Sequence, residues 1–360
     1  MVSTIGSPNN TAPAVITNVQ ALRGIAALFV LIAHIAGAEI AYGGGNQILA
    51  PFFRLGETGV DLFFMISGFI MVKITRAQDT LTSTQFLARR AIRVYPLYWI
   101  ATFVLVILYI GKQVIFGEST DISNLFASLL LWPQERLPVL PVGWTLEHEM
   151  YFYVVFAGIL ALPANWFVRS FFIWAALIGA GMALGLGQFH SVLALIVDPL
   201  TFQFLIGVAI ALFLERGRTV VIPGTMILAA GIIWLFAIFL FWADTLYPDG
   251  LTNHTARVLV FTGPWALILL GALQIEQQGI IAPNWLRYCG DISYSLYLFH
   301  LPVVLIVGRL IATRTGSGLI DNIVLIFVSF MASLACSALI HRYVEKHLLA
   351  IGHKFIRRQI

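Results

Sequence analysis

The stretch NVQALRGIAALFVLIAHIAGA, Asn18 to Ala38, is long and apolar enough to cross a bilayer, yet it carries an arginine and a histidine. A hydrocarbon core about 30 Å thick takes about twenty helical residues, so the fold is read outward from a membrane helix. Arg23 and His34 are eleven positions apart. On an α-helix that is about 1100° of rotation, which leaves them roughly 20° apart on one face and about 16 Å apart along the axis. One stripe thus leads from the membrane surface toward its middle. Ionisable groups at such depth are costly, turn toward the bundle interior and mark a function. The plainer alternative is a snorkelling Arg with a hydrogen-bonded core His.

The rest of the chain repeats the membrane signal. Of its 360 residues 59% are apolar and 11% charged, against about 25% charged in soluble domains. The fold class is therefore an all-α, polytopic membrane bundle. Spans of about twenty residues fall at 19–38, 58–74, 92–111, 146–162, 166–186, 191–213, 221–242, 255–273, 292–312 and 319–340. Ten crossings put both termini on one side. With the N-terminus inside, inner segments hold fifteen Lys and Arg and outer segments six, so both termini are expected in the cytoplasm. The reading divides the chain into a cytoplasmic tail (1–18), a membrane domain (19–341) and a basic cytoplasmic tail (342–360).

The first eighteen residues contain no Lys or Arg, so the basic region of a cleaved signal is missing and the first span is expected to stay. The net charge of +4 sits between apolar spans rather than in a solvated patch, which excludes nucleic acid as a partner. Cys289 and Cys336 lack C-x-x-C spacing and suggest neither a disulfide framework nor a thiolate metal site. The segment from Lys112 to Gly143 is the longest outside the spans. Its prolines 133, 138 and 141 suggest that it partly re-enters the bundle.

Several polar groups inside spans are candidates for chemistry. Glu57 and Asp61 share a helical face, where pairing with Arg54 or with a neighbouring helix competes with a site role. Ser67 and Gly68 are small residues suited to close helix packing. In FLARRAIRVYPLYW, Arg89 and Arg93 share a face and Arg90 is a near neighbour. They form either an ordinary positive-inside anchor, with Tyr95, Tyr98 and Trp99 in the interfacial belt, or a bidentate clamp for phosphate. Pro96 is expected in a first turn or at a kink.

WTLEHEM, Trp144 to Met150, places Glu147, His148 and Glu149 near the outer interface. H-E-x-x-H is absent, since position 152 is Phe, so no zinc hydrolase and no metal site is expected. Glu149 is the deepest of these carboxylates and is read as the partner of a buried His on another helix, whose basicity and tautomer it would set. Near the C-terminus Asp291 is expected as an N-cap. Ser293, Tyr297 and His300 follow on one face, with His300 either a satisfied core residue or part of the site. His341 and Glu345 read as a local surface pair. His190, His254, His347 and His353 are assigned no role.

Together these pieces resemble the acyltransferase-3 family of integral membrane acyltransferases, which includes bacterial surface and exopolysaccharide O-acetyltransferases. The resemblance rests on Arg23 with His34, VDLFFMISGF (Val60 to Phe69), RRAIRVYPLYW (Arg89 to Trp99), WTLEHEM and SYSLYLFH (Ser293 to His300). It covers most of the chain, and Trp144 to Leu146 with Glu149 and Met150 is similar to the exopolysaccharide-modifying branch. The C-terminal RYVEKH (Arg342 to His347) departs from the family's ending, where a proline often follows the Glu.

The resemblance implies a single-domain enzyme in the bacterial inner membrane that moves an acetyl group from acetyl-CoA to a hydroxyl of a glycan or lipid-linked glycan, with no permanently bound cofactor. It implies His34 as general base with Glu149 as the matching glutamate, and donor binding by Arg23, Arg89 and Arg93. Asp61, Trp144, Tyr297 and His300 are supporting or acceptor candidates. A transporter of a polysaccharide or lipid-linked sugar precursor, and a non-catalytic scaffold, are the alternatives.

Overall fold

The computed structural model describes residues 16–42, 48–49, 53–78, 81–118, 120–216, 221–246, 253–312 and 318–359. Among them are fifteen α-helices and no strand. In chain order these are α1 (Thr17–Tyr42), the short α2 (Phe53–Glu57), α3 (Gly59–Arg76), α4 (Ser83–Phe116), α5 (Leu125–Leu130), α6 (Trp144–Leu160), α7 (Phe167–Ala183) and α8 (Ser191–Ile196). They continue as α9 (Thr201–Glu215), α10 (Gly224–Leu246), α11 (His254–Gln277), α12 (Asn284–Asp291), α13 (Ser293–Ala312), α14 (Leu319–Ile340) and α15 (Lys346–Gln359).

Nine helical stretches among the described residues are long and apolar enough to cross a membrane. The tenth expected crossing, 146–162, is the 17-residue α6. It starts inside the bundle, with Thr145 and Leu146 both buried. The expected span at 191–213 is interrupted, because the chain leaves helical geometry between α8 and α9 around Asp198 and Pro199.

The segment before α6 folds back along α4. Tyr98 Oη donates to the Ser128 carbonyl (2.8 Å), Trp99 Nε1 to Leu129 (2.8 Å) and Tyr95 Oη to Leu130 (3.0 Å). Three side chains on α4 thus satisfy the last carbonyls of α5, groups that a helix end leaves open. These aromatics tie α5 to α4 rather than only forming an interfacial belt.

Helix α4 is longer than its hydropathy indicates. A capping box between Thr82 and Gln85 starts it, and Gly117 at φ 69° ends it. The arginine run therefore lies within the helix, and Pro96 sits in its interior rather than in its first turn.

Helices α3 and α9 approach closely enough to require glycine on both. A Cβ on Gly68 would lie 2.0 Å from the Phe204 carbonyl oxygen, and one on Gly207 would lie 1.9 Å from that of Met65. Backbone contact of this kind is how membrane helices gain packing without a hydrophobic drive. Gly207→Val is accordingly expected to destabilise the fold by roughly 1–3 kcal/mol, the usual cost of overpacking. A detergent-phase thermal melt should show an apparent Tm several degrees below that of wild type.

Two sequence expectations are corrected at the C-terminal side. Asp291 is the last residue of α12 and accepts from Gln20 Nε2 at 2.8 Å, so it does not cap α13. His341 and Glu345 do not form a surface pair. They belong to a π-helical turn between α14 and α15, and both are buried. Residues 346–359 form α15, whose Gly352 packs against Ile92 of α4.

Candidate active site

A cleft with about 860 Å³ of atom-free space, part of it open to solvent, lies among α1, α3, α4, α6 and α13. Its chemistry is set by three guanidinium groups, Arg23, Arg90 and Arg93, facing one carboxylate, Glu149. Tyrosine, serine and threonine side chains complete its polar wall. Every element supplies its residue for a local reason. Arg23 lies two turns into α1, where its Nη1 donates to Gln20 Oε1 at 3.2 Å. Arg90 and Arg93 lie one turn apart on α4, the i and i+3 spacing that places both on the cleft side.

Arg93 is held from behind. Its Nη1 donates to Glu345 Oε1 at 2.5 Å. Glu345 Oε2 in turn accepts from Ser295 Oγ (2.6 Å) and pairs with His341 Nδ1 (2.9 Å). The π-turn makes this possible by turning Glu345 inward, and such bulges often mark functional sites. Arg90 has its charge over the rings of Phe86 and Tyr153, at 6.0 and 5.9 Å. Its Nε is buried without a hydrogen-bond partner among the described residues.

Glu149 accepts from Ser67 Oγ at 2.9 Å and from Tyr153 Oη. It is not the partner of a buried histidine, as the sequence suggested. The reason is register: on α6 it faces the arginines, and Ser67 of α3 reaches it across the cleft. Ser67 is thus a hydrogen-bonding residue, while Gly68 alone serves the close packing.

The two intramembrane histidines pair with each other. The rings of His34 and His300 meet edge to face with centroids 4.7 Å apart. His34 Nδ1 is 2.9 Å from the Val30 carbonyl and His300 Nδ1 is 2.8 Å from that of Leu296. A carbonyl only accepts, so each Nδ1 carries the hydrogen and each Nε2 keeps its lone pair. Both imidazoles are held in the tautomer of a base. His300 Nε2 is buried without a partner among the described residues.

Neither histidine lines the cleft. Tyr297, which does, stands between: its ring lies 6.1 Å from that of His300, and its hydroxyl bonds Thr145 Oγ1 (2.6 Å) and the Val142 carbonyl (2.9 Å).

Other expected site residues lie elsewhere. Arg89 donates to Gln78 and does not line the cleft, whose wall takes Arg90 instead. Asp61 is fully buried in an ion pair with Arg257 (Nε to Oδ1, 2.8 Å), with Gln203 Nε2 donating to the same oxygen at 2.6 Å. A pairing with a neighbouring helix is thus present at Asp61. The side chain of Arg54 lies outside the described residues. Trp144 stacks on His254 with centroids 5.9 Å apart, away from the cleft. Sequence reasoning missed Arg90, Tyr153 and Ser67 as cleft residues, and the signal available for Arg90 was its i, i+3 spacing to Arg93.

Fold and cleft together define a multi-pass membrane protein with a cationic, hydroxyl-rich cleft near a pair of imidazoles, His300 buried and His34 half-buried. Residues 16–342 match the family described as an acyltransferase domain. The exopolysaccharide production protein ExoZ of Rhizobium meliloti (strain 1021) is 35% identical over 269 residues, covering 71% of this chain and 79% of that protein. The acyltransferase MdmB of Streptomyces mycarofaciens is 26% identical, covering 82% of this chain and 80% of that one. The peptidoglycan O-acetyltransferase OatA of Listeria monocytogenes is 23% identical over 80% of this chain, which spans about half (49%) of OatA. No solved structure matches. The chain belongs to the acyltransferase-3 family and is a membrane O-acyltransferase. The transporter and scaffold alternatives give way to this membership.

Proposed function

We propose that the enzyme transfers an acetyl group from acetyl-CoA to a hydroxyl of an exopolysaccharide or lipid-linked sugar, with His34 as general base. The observation that carries this reading is the convergence of Arg23, Arg90 and Arg93 on one cleft. Guanidinium groups bind phosphate oxygens bidentately, and the donor's nucleotide end is its phosphate-rich part. The charge count in the sequence favours a cytoplasmic position for this arginine-rich end, the side where CoA is found. The acyl end then points past Tyr297 toward the histidine pair.

In the chemical step the sugar hydroxyl gives its proton to His34 Nε2 while its oxygen attacks the thioester carbonyl. The carbon–oxygen bond forms, the carbon–sulfur bond breaks, and the departing CoA sulfur takes up the proton. Arg23 and Glu149 hold the donor and the hydroxyl network around it. The names of ExoZ and OatA, which speak of exopolysaccharide and peptidoglycan, support a glycan acceptor. The bacterial inner membrane with both termini cytoplasmic is the location that this donor and the charge distribution favour.

Steady-state kinetics in detergent test the donor site. Arg93→Ala and Arg90→Ala should raise KM for acetyl-CoA about tenfold or more with a smaller change for the acceptor, because a phosphate clamp contributes binding in ground and transition states alike. Arg89→Ala should change it less than either. A shift in acceptor KM alone would assign the arginines to the sugar instead.

A further inference from the structure

The most unusual polar cluster outside the cleft is formed by His148 at the start of α6, Asp198 in the α8–α9 break and His254 at the start of α11. One ligand-type atom from each residue lies within 4.8 Å of those of the other two. His254 Nδ1 is 2.7 Å from Asp198 Oδ2, and His148 Nε2 is 3.9 Å from the same oxygen. His148 is buried, its Nε2 stops beyond hydrogen-bond reach, and its Nδ1 has no partner among the described residues. Its ring packs edge to face against Trp144 and His254, with Nε2 on the side of the Asp198 carboxylate.

We propose that these three side chains bind one divalent transition-metal ion of the zinc type. Two imidazole nitrogens beside one carboxylate make a donor set that suits such an ion better than calcium or magnesium, which prefer all-oxygen sites. Ligand atoms about 2.0–2.1 Å from a tetrahedral ion stand roughly 3.3–3.4 Å apart. The present distances of 2.7 and 3.9 Å fall on either side of that value, and all three ligand atoms lie within 4.8 Å of one another, so binding would draw the side chains together. Asp198 Oδ1 accepts from the Leu200 amide at 2.8 Å, leaving Oδ2 aimed at the histidines. The Trp144 ring lies parallel to His254 and fixes its plane. The Leu200 amide supplies an outer hydrogen bond of the kind that orients a carboxylate ligand in built metal sites.

Arg257, whose charge lies over the adjoining Trp144 ring, is already neutralised by Asp61. His254, with 31% of its side chain exposed, gives the site an opening. Three protein ligands leave the fourth position free for water or an incoming oxygen. Phe64, which lines the cleft, touches His148 edge to face with centroids 6.0 Å apart, so the site lies one side chain from the donor cleft. The inference does not depend on the donor or the base assigned above.

The test uses the full chain in detergent, carrying a histidine-free purification tag and stripped with a chelator. Titration with Co²⁺ alone should saturate at one ion per chain, give the visible absorption of a tetrahedral site and be reversed by Zn²⁺. His254→Ala and Asp198→Asn should each weaken this binding roughly a hundredfold or more. A Tyr343→Ala control, remote from the cluster, should leave it unchanged. His254 begins its helix and is partly exposed, so its variant is expected to fold, and an unchanged elution profile verifies this. Absence of a saturable site in wild type, or Co²⁺ binding that persists equally in both ligand variants, overturns the proposal.

Discussion

His34→Ala is expected to reduce acyl transfer by about two to four orders of magnitude, the range that a positioned general base contributes. The expectation rests on the Nδ1 contact to the Val30 carbonyl, which leaves Nε2 as the basic nitrogen. Gln at this position would fill similar space but has no nitrogen that accepts a proton at neutral pH, so it should fail as well. His34 is half-buried rather than a core residue, and yield and melting temperature should stay near wild type. The readout is initial rate at saturating donor and acceptor, together with a thermal melt. A rate for His34→Ala above about a tenth of wild type, well over the general-base expectation, would remove His34 from the chemistry. The role would then pass to Glu149 or His300.

Asp61→Ala should have the largest effect on stability. Arg257 and Asp61 are 3% and 0% exposed, and the pair ties α11 to α3, with Gln203 of α9 on the same carboxylate. Arg257 Nη2 also donates to the Glu57 carbonyl at 2.9 Å. Removing one partner of a buried pair leaves an uncompensated charge, at a cost of about 3–5 kcal/mol. Arg257→Leu alone should be comparably damaging, since it strands the carboxylate. The double variant Asp61→Leu with Arg257→Leu should recover much of the loss, because replacing both charges with apolar groups is often neutral. Detergent-phase unfolding of the three variants checks this. Single variants that melt like wild type would show that the pair is not a structural tie.

Much of the architecture can be read from hydropathy because a lipid-facing helix must satisfy its own backbone and present apolar side chains over about twenty residues. That constraint is local, so α1, α3, α10, α11, α13 and α14 fall where their apolar runs do. It weakens where protein replaces lipid around a segment. Helix α6 starts with Thr145 and Leu146 already buried, beside an α5 whose last carbonyls Tyr95, Tyr98 and Trp99 satisfy, and no local pattern in WTLEHEM reports that burial. The α8–α9 break is hidden by the apolar residues on either side of Asp198.

At the site, the Arg23 and His34 stripe was legible because helical geometry fixes both residues on one face. Their destinations were not. Arg23 meets residues from α4 and α6, and His34 meets His300 of α13, so each partner lies far away in sequence. The choice of Arg89 over Arg90 followed from counting i, i+4 on an isolated helix, whereas the packing of α4 against α13 turns the i, i+3 pair inward. Glu345 looked like half of a surface pair because an α-helical register places it outward, and the π-turn changes that register. Asp61 and Arg257 are separated by most of the chain, and only the contacts of α3 with α9 and α11 bring their charges together.

The most direct test of the central claim is transfer itself: purified protein incubated with acetyl-CoA labelled in the acetyl group and a bacterial exopolysaccharide fragment. The account predicts label on the sugar as an alkali-labile ester, formed many times per enzyme and lost with His34→Ala. Label that stays on CoA across a panel of glycan acceptors, with wild-type protein that is folded and monodisperse, would contradict it.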